Sequence, residues 1–490
     1  MTEAKKNSRK DILYCLLLAV SFLFVCSKNS PIYPMNDWVD VDCIFTVGKS
    51  LNHGAVLYKD IFDHKGPVLY FLYAIAALIS ETSYIGLWLL EILCVTGFLY
   101  FSVKCVRLFT EKDTYLYTLL PFFALLVLTT NAFAHGGSTE ELTLLPLTYS
   151  LYYFLRMINK QEVKPIEHFL VGACVGVVFW MKYTIVGFYL GAYVYLLVYV
   201  ILKKDLQTFL CMLKNFAGFL IVTAGVLAYF AYHSALIDLW EVYFYGNIFL
   251  YGEKTALAEK LFFMVANLIG TSLVNKLIFI PMYLGFLWML IKKKKETIFC
   301  IVSYGTAVLG IFFGSAYYYY SLVLLVFAFL VLYAACDGLT ILLKKPENPR
   351  AIKVLPLINI VVTVVLSFFL SENTYLLQYE KEDMPQYKFA EIVHSVEDAS
   401  LLNYHFLDGG FYFAADLIPE NKYFYYSNLP APEMGKDQDR MIREKKVDFV
   451  ITRNATLDEY LDTKDYTLVA EDTFFLEEAY YDYYLYQKLN

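Results

Sequence analysis

The chain has 490 residues, a mean hydropathy of +0.50, 59% hydrophobic residues and only 18% charged ones. Soluble domains are about half apolar and about a quarter charged, so this excess marks an integral membrane protein. Intrinsic disorder and a disulfide-stapled secreted domain are excluded, and a net charge of −7 with a pI of 5.6 argues against nucleic acid as a partner.

The charge is unevenly spread. Residues 372–490 carry 24 acidic and 11 basic residues, a net of −13, against +6 for the rest. The nine cysteines all precede residue 372, mostly in apolar stretches and without CxxC spacing, which suits small buried apolar residues.

In chain order, the first apolar stretch is 12–27, preceded by Lys5, Lys6, Arg9 and Lys10. It lacks a small-x-small cleavage site and reads as a retained span with the N-terminus in the cytoplasm. Five basic clusters mark further cytoplasmic loops: Lys104/Arg107/Lys112, Arg156/Lys160/Lys164, Lys203/Lys204, Lys292–Lys295 and Lys344/Lys345/Arg350/Lys353. Between them, spans are expected at 84–106, 115–131, 142–158, 166–182, 184–202, 207–232, 275–291, 297–314, 317–336 and 354–371, about eleven crossings in all. Two shorter apolar runs, 68–80 and 261–271, are expected to lie at the outer interface.

This topology puts 28–67, 131–141, 233–260 and the tail outside. The tail is expected to be a small α/β domain, with helices near 388–396 and 437–446 and strands near 400–406, 422–426 and 447–452. The fold class is therefore an all-α polytopic membrane protein, with a transmembrane domain at 1–371 (first outer loop 28–67) and a soluble extracytoplasmic α/β domain at 372–490.

The first outer loop is the most unusual stretch. It sets Asp37, Asp40, Asp42, Asp60 and Asp63 in an aromatic, apolar context, with Tyr58, His64, Lys65 and Pro67. For Asp37, Asp60 and Asp63 an ordinary solvated acid is the plain alternative. Asp40 precedes a helix-like run at 41–53, and a carboxylate in a partly dry site can act as a general base or hold a metal. On a helix Asp42 would turn away from Asp40; the two could share a ligand only if the segment is extended. Lys65 stands at the mouth of the interfacial helix, where a cation meets a lipid phosphate or simply snorkels. Pro67 suits a first helical position.

In the second outer segment, Ser138 or Thr139 could cap the following span, with Glu140 and Glu141 in its first turn. Adjacent carboxylates at a membrane boundary are costly if idle, so one of them is also a candidate to face Asp40 across a cavity. Lys182, at the outer end of a span, is a second phosphate partner or another snorkelling lysine. Tyr317–Tyr320 read as an aromatic belt, with sugar stacking, for instance on Tyr318, as the sharper alternative. The histidines show no metal-ligand spacing, and no Walker loop, GxSxG or zinc motif occurs.

The pattern Asp40-x7-Gly48-x5-Gly54-x3-Tyr58-x-Asp60-x2-Asp63-His64-Lys65-Gly66-Pro67 resembles the first outer loop of polytopic GT-C-fold glycosyltransferases, in particular bacterial family-39-like and protein-mannosyltransferase-like enzymes. The segment Gly136–Glu141 resembles their second acidic site, and the spans to about residue 202 resemble their common module. The resemblance implies an inverting hexosyl transfer from a polyprenyl-phosphate sugar on the outer face of the cytoplasmic membrane. It implies Asp40 as the catalytic residue, Glu140 or Glu141 at the second acidic position, and Lys65 at the basic position. Asp42, Tyr58, Asp63, His64, Lys65, Lys182 and Tyr318 are the expected substrate contacts. Some relatives use a divalent cation, magnesium or manganese; Asp40 and Glu141 are the residues that would hold one here.

The expected partners are the lipid-linked donor, membrane lipids, and a surface glycan, lipid or protein acceptor, in cell-envelope glycan assembly or modification. Two alternatives stand beside this reading. A polysaccharide polymerase or ligase with a diphosphate-linked glycan would favour arginines in a long outer loop, and 232–260 has none. A transporter would favour ionisable residues near the midplane and an internal repeat.

Overall fold

The computed structural model describes residues 3–110, 114–251, 256–314, 317–343, 349–429, 431, 433–476 and 479–489. Lys112, Lys344 and Lys345 of the basic clusters lie outside the described residues. The chain folds as two compact units. One comprises Met1–Ser30, Trp88–Gly225 and Glu253–Thr374; the other comprises Pro31–Leu87, Val226–Gly252 and Tyr375–Asn490.

The first unit is helical. Each of the eleven stretches expected to cross falls on a helix, from Glu3–Cys26 to Pro349–Leu370. Their lengths are less uniform than expected. Five described helices are long and apolar enough to cross by length and composition, and six if the bent pair Val354–Leu370 and Glu372–Gln378 forms one span. Others, such as Pro165–Met181 and Thr297–Phe312, have 17 and 16 residues. At 1.5 Å per residue these reach about 25 Å, a little short of the hydrocarbon thickness.

One expectation is corrected. The run 261–271 belongs to a longer helix, Leu257–Val274, which itself meets the length and apolarity of a span. Flanking Leu257 and Val274 extend it, and the glutamate and lysine in its first turn had masked its length.

Small residues let these helices approach. In Pro165–Met181, Gly172 and Gly176 face Leu206–Tyr232; a Cβ on Gly172 would fall 1.8 Å from the Asn215 carbonyl oxygen and 2.9 Å from the Gly218 Cα. Without a hydrophobic force between helices in lipid, such close van der Waals contact is what holds them together.

In the second unit, helix Val39–Asn52 packs on helix Pro67–Ile79, where a Cβ on Gly48 would lie 2.8 Å from the Ala74 nitrogen. Pro67 occupies the start of its helix, where its missing N–H costs nothing.

The tail adds a four-stranded sheet of β1 (Leu401–Asn403), β2 (Phe449–Arg453), β3 (Tyr466–Leu476) and β4 (Ala479–Lys488), in the order β1-β2-β4-β3. β1 and β2 run parallel, joined through helix Met434–Arg443; β4 is antiparallel to both β2 and β3. One face packs on Leu402, Tyr404, Ile442 and Val450, and Phe449, Ile451 and Leu485 are buried as well.

The helices expected near 388–396 and 437–446 start about three residues earlier, at Pro385–Val393 and Met434–Arg443. Residues 422–426 form no strand, although the Phe424 carbonyl accepts from the Asn403 amide (3.1 Å). The longest strands are β3 and β4; the sequence offers strand packing as one role for the β4 tyrosines and marks no strand at β3. Their acidic and tyrosine-rich sequences hide the alternation that puts Tyr483 and Leu485 inside.

Candidate active site

In the second unit, a tight turn delivers Lys65. The Asp60 carboxylate accepts from the Val56 amide (2.9 Å), and Tyr58 takes a left-handed backbone (φ 67°) with its amide donating to the Ile61 carbonyl (2.8 Å). The Tyr58 hydroxyl then donates to the Lys65 carbonyl, and the Lys65 amide donates to the Tyr70 hydroxyl (3.0 Å). Held at both ends of its peptide, Lys65 sits two residues before helix Pro67–Ile79. Its Nζ lies 3.1 Å from Asp40 Oδ1, with the two side chains 20% and 19% exposed. A cation and a carboxylate that are paired yet still reachable can exchange partners with a ligand.

Asp63 lies buried beside this pair. Its carboxylate accepts from the His64 amide (2.7 Å), and the His64 ring Nδ1 is 3.3 Å away. Burial pushes the Asp63 carboxyl upward, but the Lys65 charge and the His64 contacts outweigh it and hold it well below the usual carboxylate range. Burial likewise favours neutral Lys65, and the Asp40 and Asp63 charges outweigh that, so its ammonium is held well above the ordinary lysine value. The His64 ring lies 3.3 Å from Ser427 Oγ and 5.1 Å from the Tyr251 ring, and its carbonyl accepts from Asn247 (2.7 Å).

Asp42 and Tyr58, expected among the substrate contacts, are both fully buried. Asp42 accepts from the Tyr84 hydroxyl, and Tyr58 stacks on Phe230 at 5.5 Å. Helical geometry separates Asp42 from Asp40, as the i, i+2 spacing demands. Asp37 accepts from the Tyr375 hydroxyl.

The first unit holds a second lysine–carboxylate pair. Lys182 Nζ lies 2.5 Å from Glu140 Oε1 and 3.2 Å from the centre of the Tyr320 ring. Glu140 is buried, while a quarter of the Lys182 side chain is exposed. Ser138 caps the short helix Thr139–Leu142, its Oγ accepting from the Glu141 amide (3.1 Å). Glu141 is differently placed. It accepts from the Gly137 amide (2.8 Å) and meets the side chain of Glu91. Tyr318 is 38% exposed, and its ring lies 5.2 Å from that of His135.

Three further residues carry contacts that the sequence does not announce. Glu91, buried in helix Ile85–Phe109, accepts from Ser27 Oγ at 2.5 Å; a lone acid in an apolar span was the available signal. Tyr320 reads in sequence as part of the aromatic belt, and its ring lies against Lys182. Asp408, buried in the tail, gave no sequence signal beyond the Asp-Gly-Gly that follows a strand. Among the described residues, no three His, Cys, Asp or Glu side chains converge as a metal site. Of the two residues expected to hold a cation, Asp40 is paired with Lys65, and Glu141 is engaged by Gly137 and Glu91.

Residues 64–229 match the family model described as dolichyl-phosphate-mannose-protein mannosyltransferase. None of the curated proteins matches the sequence. Among solved structures, the chain is similar to ArnT from Cupriavidus metallidurans bound to undecaprenyl phosphate, at 11% identity and a TM-score of 0.66 over 96% of this chain and 97% of that one. The apo state of the same protein gives 11% identity and a TM-score of 0.58 over 97% of each chain. The oligosaccharyltransferase of Archaeoglobus fulgidus, in complex with zinc and sulfate, is a looser likeness at 12% identity and a TM-score of 0.45, over 90% of this chain and 67% of that one. In fold over nearly its whole length, and in sequence over residues 64–229, this chain is like a membrane glycosyltransferase of the GT-C type.

Proposed function

We propose that this protein transfers a hexose from a polyprenyl-phosphate-linked donor to an acceptor hydroxyl at the outer face of the cytoplasmic membrane, in cell-surface glycan assembly or modification. The observation that carries this reading is the accessible Lys65–Asp40 pair, next to the start of the mannosyltransferase-family match. The N-terminus is assigned to the cytoplasm and the tail to the exterior, on the basic clusters and the acidic tail.

The acceptor oxygen attacks the sugar C1 as the C1–O bond to phosphate breaks, giving inversion. A hydroxyl is a poor nucleophile, and Asp40 takes its proton as the new bond forms. The bond-breaking electron pair stays on the phosphate oxygen, so negative charge grows there, and Lys65 is placed to stabilise it. Lys182, paired with Glu140 at the second acidic position, is assigned the same electrostatic role. The chain's resemblance to ArnT, a protein solved with undecaprenyl phosphate, supports a polyprenyl phosphate as the carrier.

The test is turnover of the lipid-linked sugars of the native membranes. Asp40→Asn is expected to abolish it while expression and membrane insertion stay normal; undiminished turnover would remove the assignment.

A further inference from the structure

The tail's Asp-Gly-Gly turn grips the helix that carries Asp40. Asp408 is fully buried just beyond β1. Its Oδ1 accepts from Asn403 Nδ2 (2.8 Å) and the Gly410 amide (3.2 Å), and its Oδ2 accepts from Thr46 Oγ1 (3.2 Å), on helix Val39–Asn52. The Cys43 thiol points at the Asp408 carbonyl (3.7 Å), and Gln386 holds the Gly409 carbonyl (2.8 Å).

Gly410 closes the turn in a left-handed conformation (φ 88°), where a Cβ would come within 3.1 Å of Met35 Sδ and Asp42 Oδ2. Phe413, three residues on, stacks on Tyr84 at 4.1 Å and meets Phe45 edge-on at 5.4 Å. Helix Val39–Asn52 has no side-chain cap of its own, so these contacts fix its first two turns from outside. Burial pushes the Asp408 carboxyl up to about 6, against the Thr46 hydroxyl and the Gly410 and Phe411 amides. A carboxyl buried at such cost, with its contacts pointed at one helix, fits a positioning role better than a solvating one.

We propose that Asp408 is a positioning residue: through Thr46 it sets the register of helix Val39–Asn52, and so where Asp40 stands against Lys65. The tail thereby becomes part of the reaction machinery without touching substrate. This rests on the reading of Asp40 as the reacting base.

The test uses the full chain in native membranes, with turnover of the membranes' own lipid-linked sugars as the readout. Thr46→Val and Asp408→Ala should each lower kcat about tenfold while KM moves less than about twofold, because the base is displaced and the lipid contacts are not. The double variant should fall no further than either single one, since both remove the same bond. Thr46→Ser should restore kcat. If Asp408→Ala does not accumulate, Thr46→Val with its serine rescue decides alone. A Thr46→Val protein with wild-type kcat, or one whose KM alone rises, overturns the proposal. Asp40→Asn run in parallel separates the two readings: full turnover there defeats the base assignment, whereas its loss beside an unaffected Thr46→Val defeats only the positioning role.

Discussion

Replacing Lys65 by methionine leaves Asp40 and buried Asp63 without their common cation. In the native protein Nζ lies 3.1 Å from Asp40 Oδ1. Two unit charges at that distance interact by about 5 kcal/mol at an effective dielectric of about 20, before desolvation and side-chain ordering are counted. Removing one member of a buried pair costs about 3–5 kcal/mol; with both groups about one-fifth exposed, the lower end, about 3 kcal/mol, is the expected loss.

The pH dependence is more diagnostic than the size. Asp63 titrates below its unfolded value in the native protein, so its contribution is present above about pH 4 and is lost as acid is added through the lower, folded value. Lys65 titrates above its unfolded value, so its contribution is present below about pH 10 and is lost as pH rises through the folded value. Native stability from this cluster is therefore flat between those limits.

In Lys65→Met, burial, the largest influence on Asp63, is opposed only by the His64 and Tyr70 contacts, and the expected outcome is a carboxyl raised above its unfolded value. The folded state then binds more protons than the unfolded one, and acid stabilises. Heat unfolding of detergent-purified protein across pH 5–9 reads this directly. The variant should unfold at lower temperature than the native protein, and the gap should narrow toward pH 5. A variant whose Tm follows the native curve within about a degree at every pH would refute this account of the cluster.

Two further outcomes follow from the packing and the tail. Asp408 titrates up at about 6 when folded against 3.8 as its ordinary value, so its contribution to stability falls as pH rises from about 4 to 6, by up to about 3 kcal/mol. Asp408→Asn should remove that slope from the melting curves, and an unchanged slope would show that another group causes it. Gly172→Ala places a Cβ 1.8 Å from the Asn215 carbonyl oxygen, and the overpacking should cost about 1–3 kcal/mol. Gly225→Ala, whose Cβ meets nothing within 4 Å, is the control; equal Tm values for the two variants would contradict the packing.

Much of the helical frame is legible in the sequence because lipid enforces one rule: long apolar stretches must satisfy their backbone within a helix. That rule locates the helices but does not count the crossings. Leu257–Val274 shows why, since a glutamate and a lysine in its first turn broke an apolar run that the helix itself does not respect. In the tail the rule fails. The hairpin of β3 and β4 is held by cross-strand pairs such as Asp472 with Tyr483 and Thr473 with Asp482, and their polar residues obscure a period of two.

At the candidate site, residue type identified charge but not partner. Glu140 and Glu141 are neighbours in sequence, yet one meets Lys182 and the other meets Glu91, because successive helical residues point about 100° apart. Glu91 and Lys182 lie far from Glu140 in the chain, and no local pattern announces either contact.

The pairing of Lys65 with Asp40 has a consequence for how binding and chemistry are linked. At rest, the ammonium is the counter-ion of the residue assigned as base. A phosphate that takes over Lys65 leaves Asp40 without its cation. The donor would thus release the base from its ion pair on arrival. The carboxylate and the phosphate compete for one ammonium, so removing the carboxylate charge should help the phosphate. Asp40→Asn is therefore expected to bind undecaprenyl phosphate several-fold more tightly than the native protein, about 1 kcal/mol, while turning over no donor. Titration of the detergent-purified proteins with undecaprenyl phosphate measures this. Binding that weakens in Asp40→Asn would mean that Asp40 supports the phosphate rather than competing with it, and the exchange of partners would have to be abandoned.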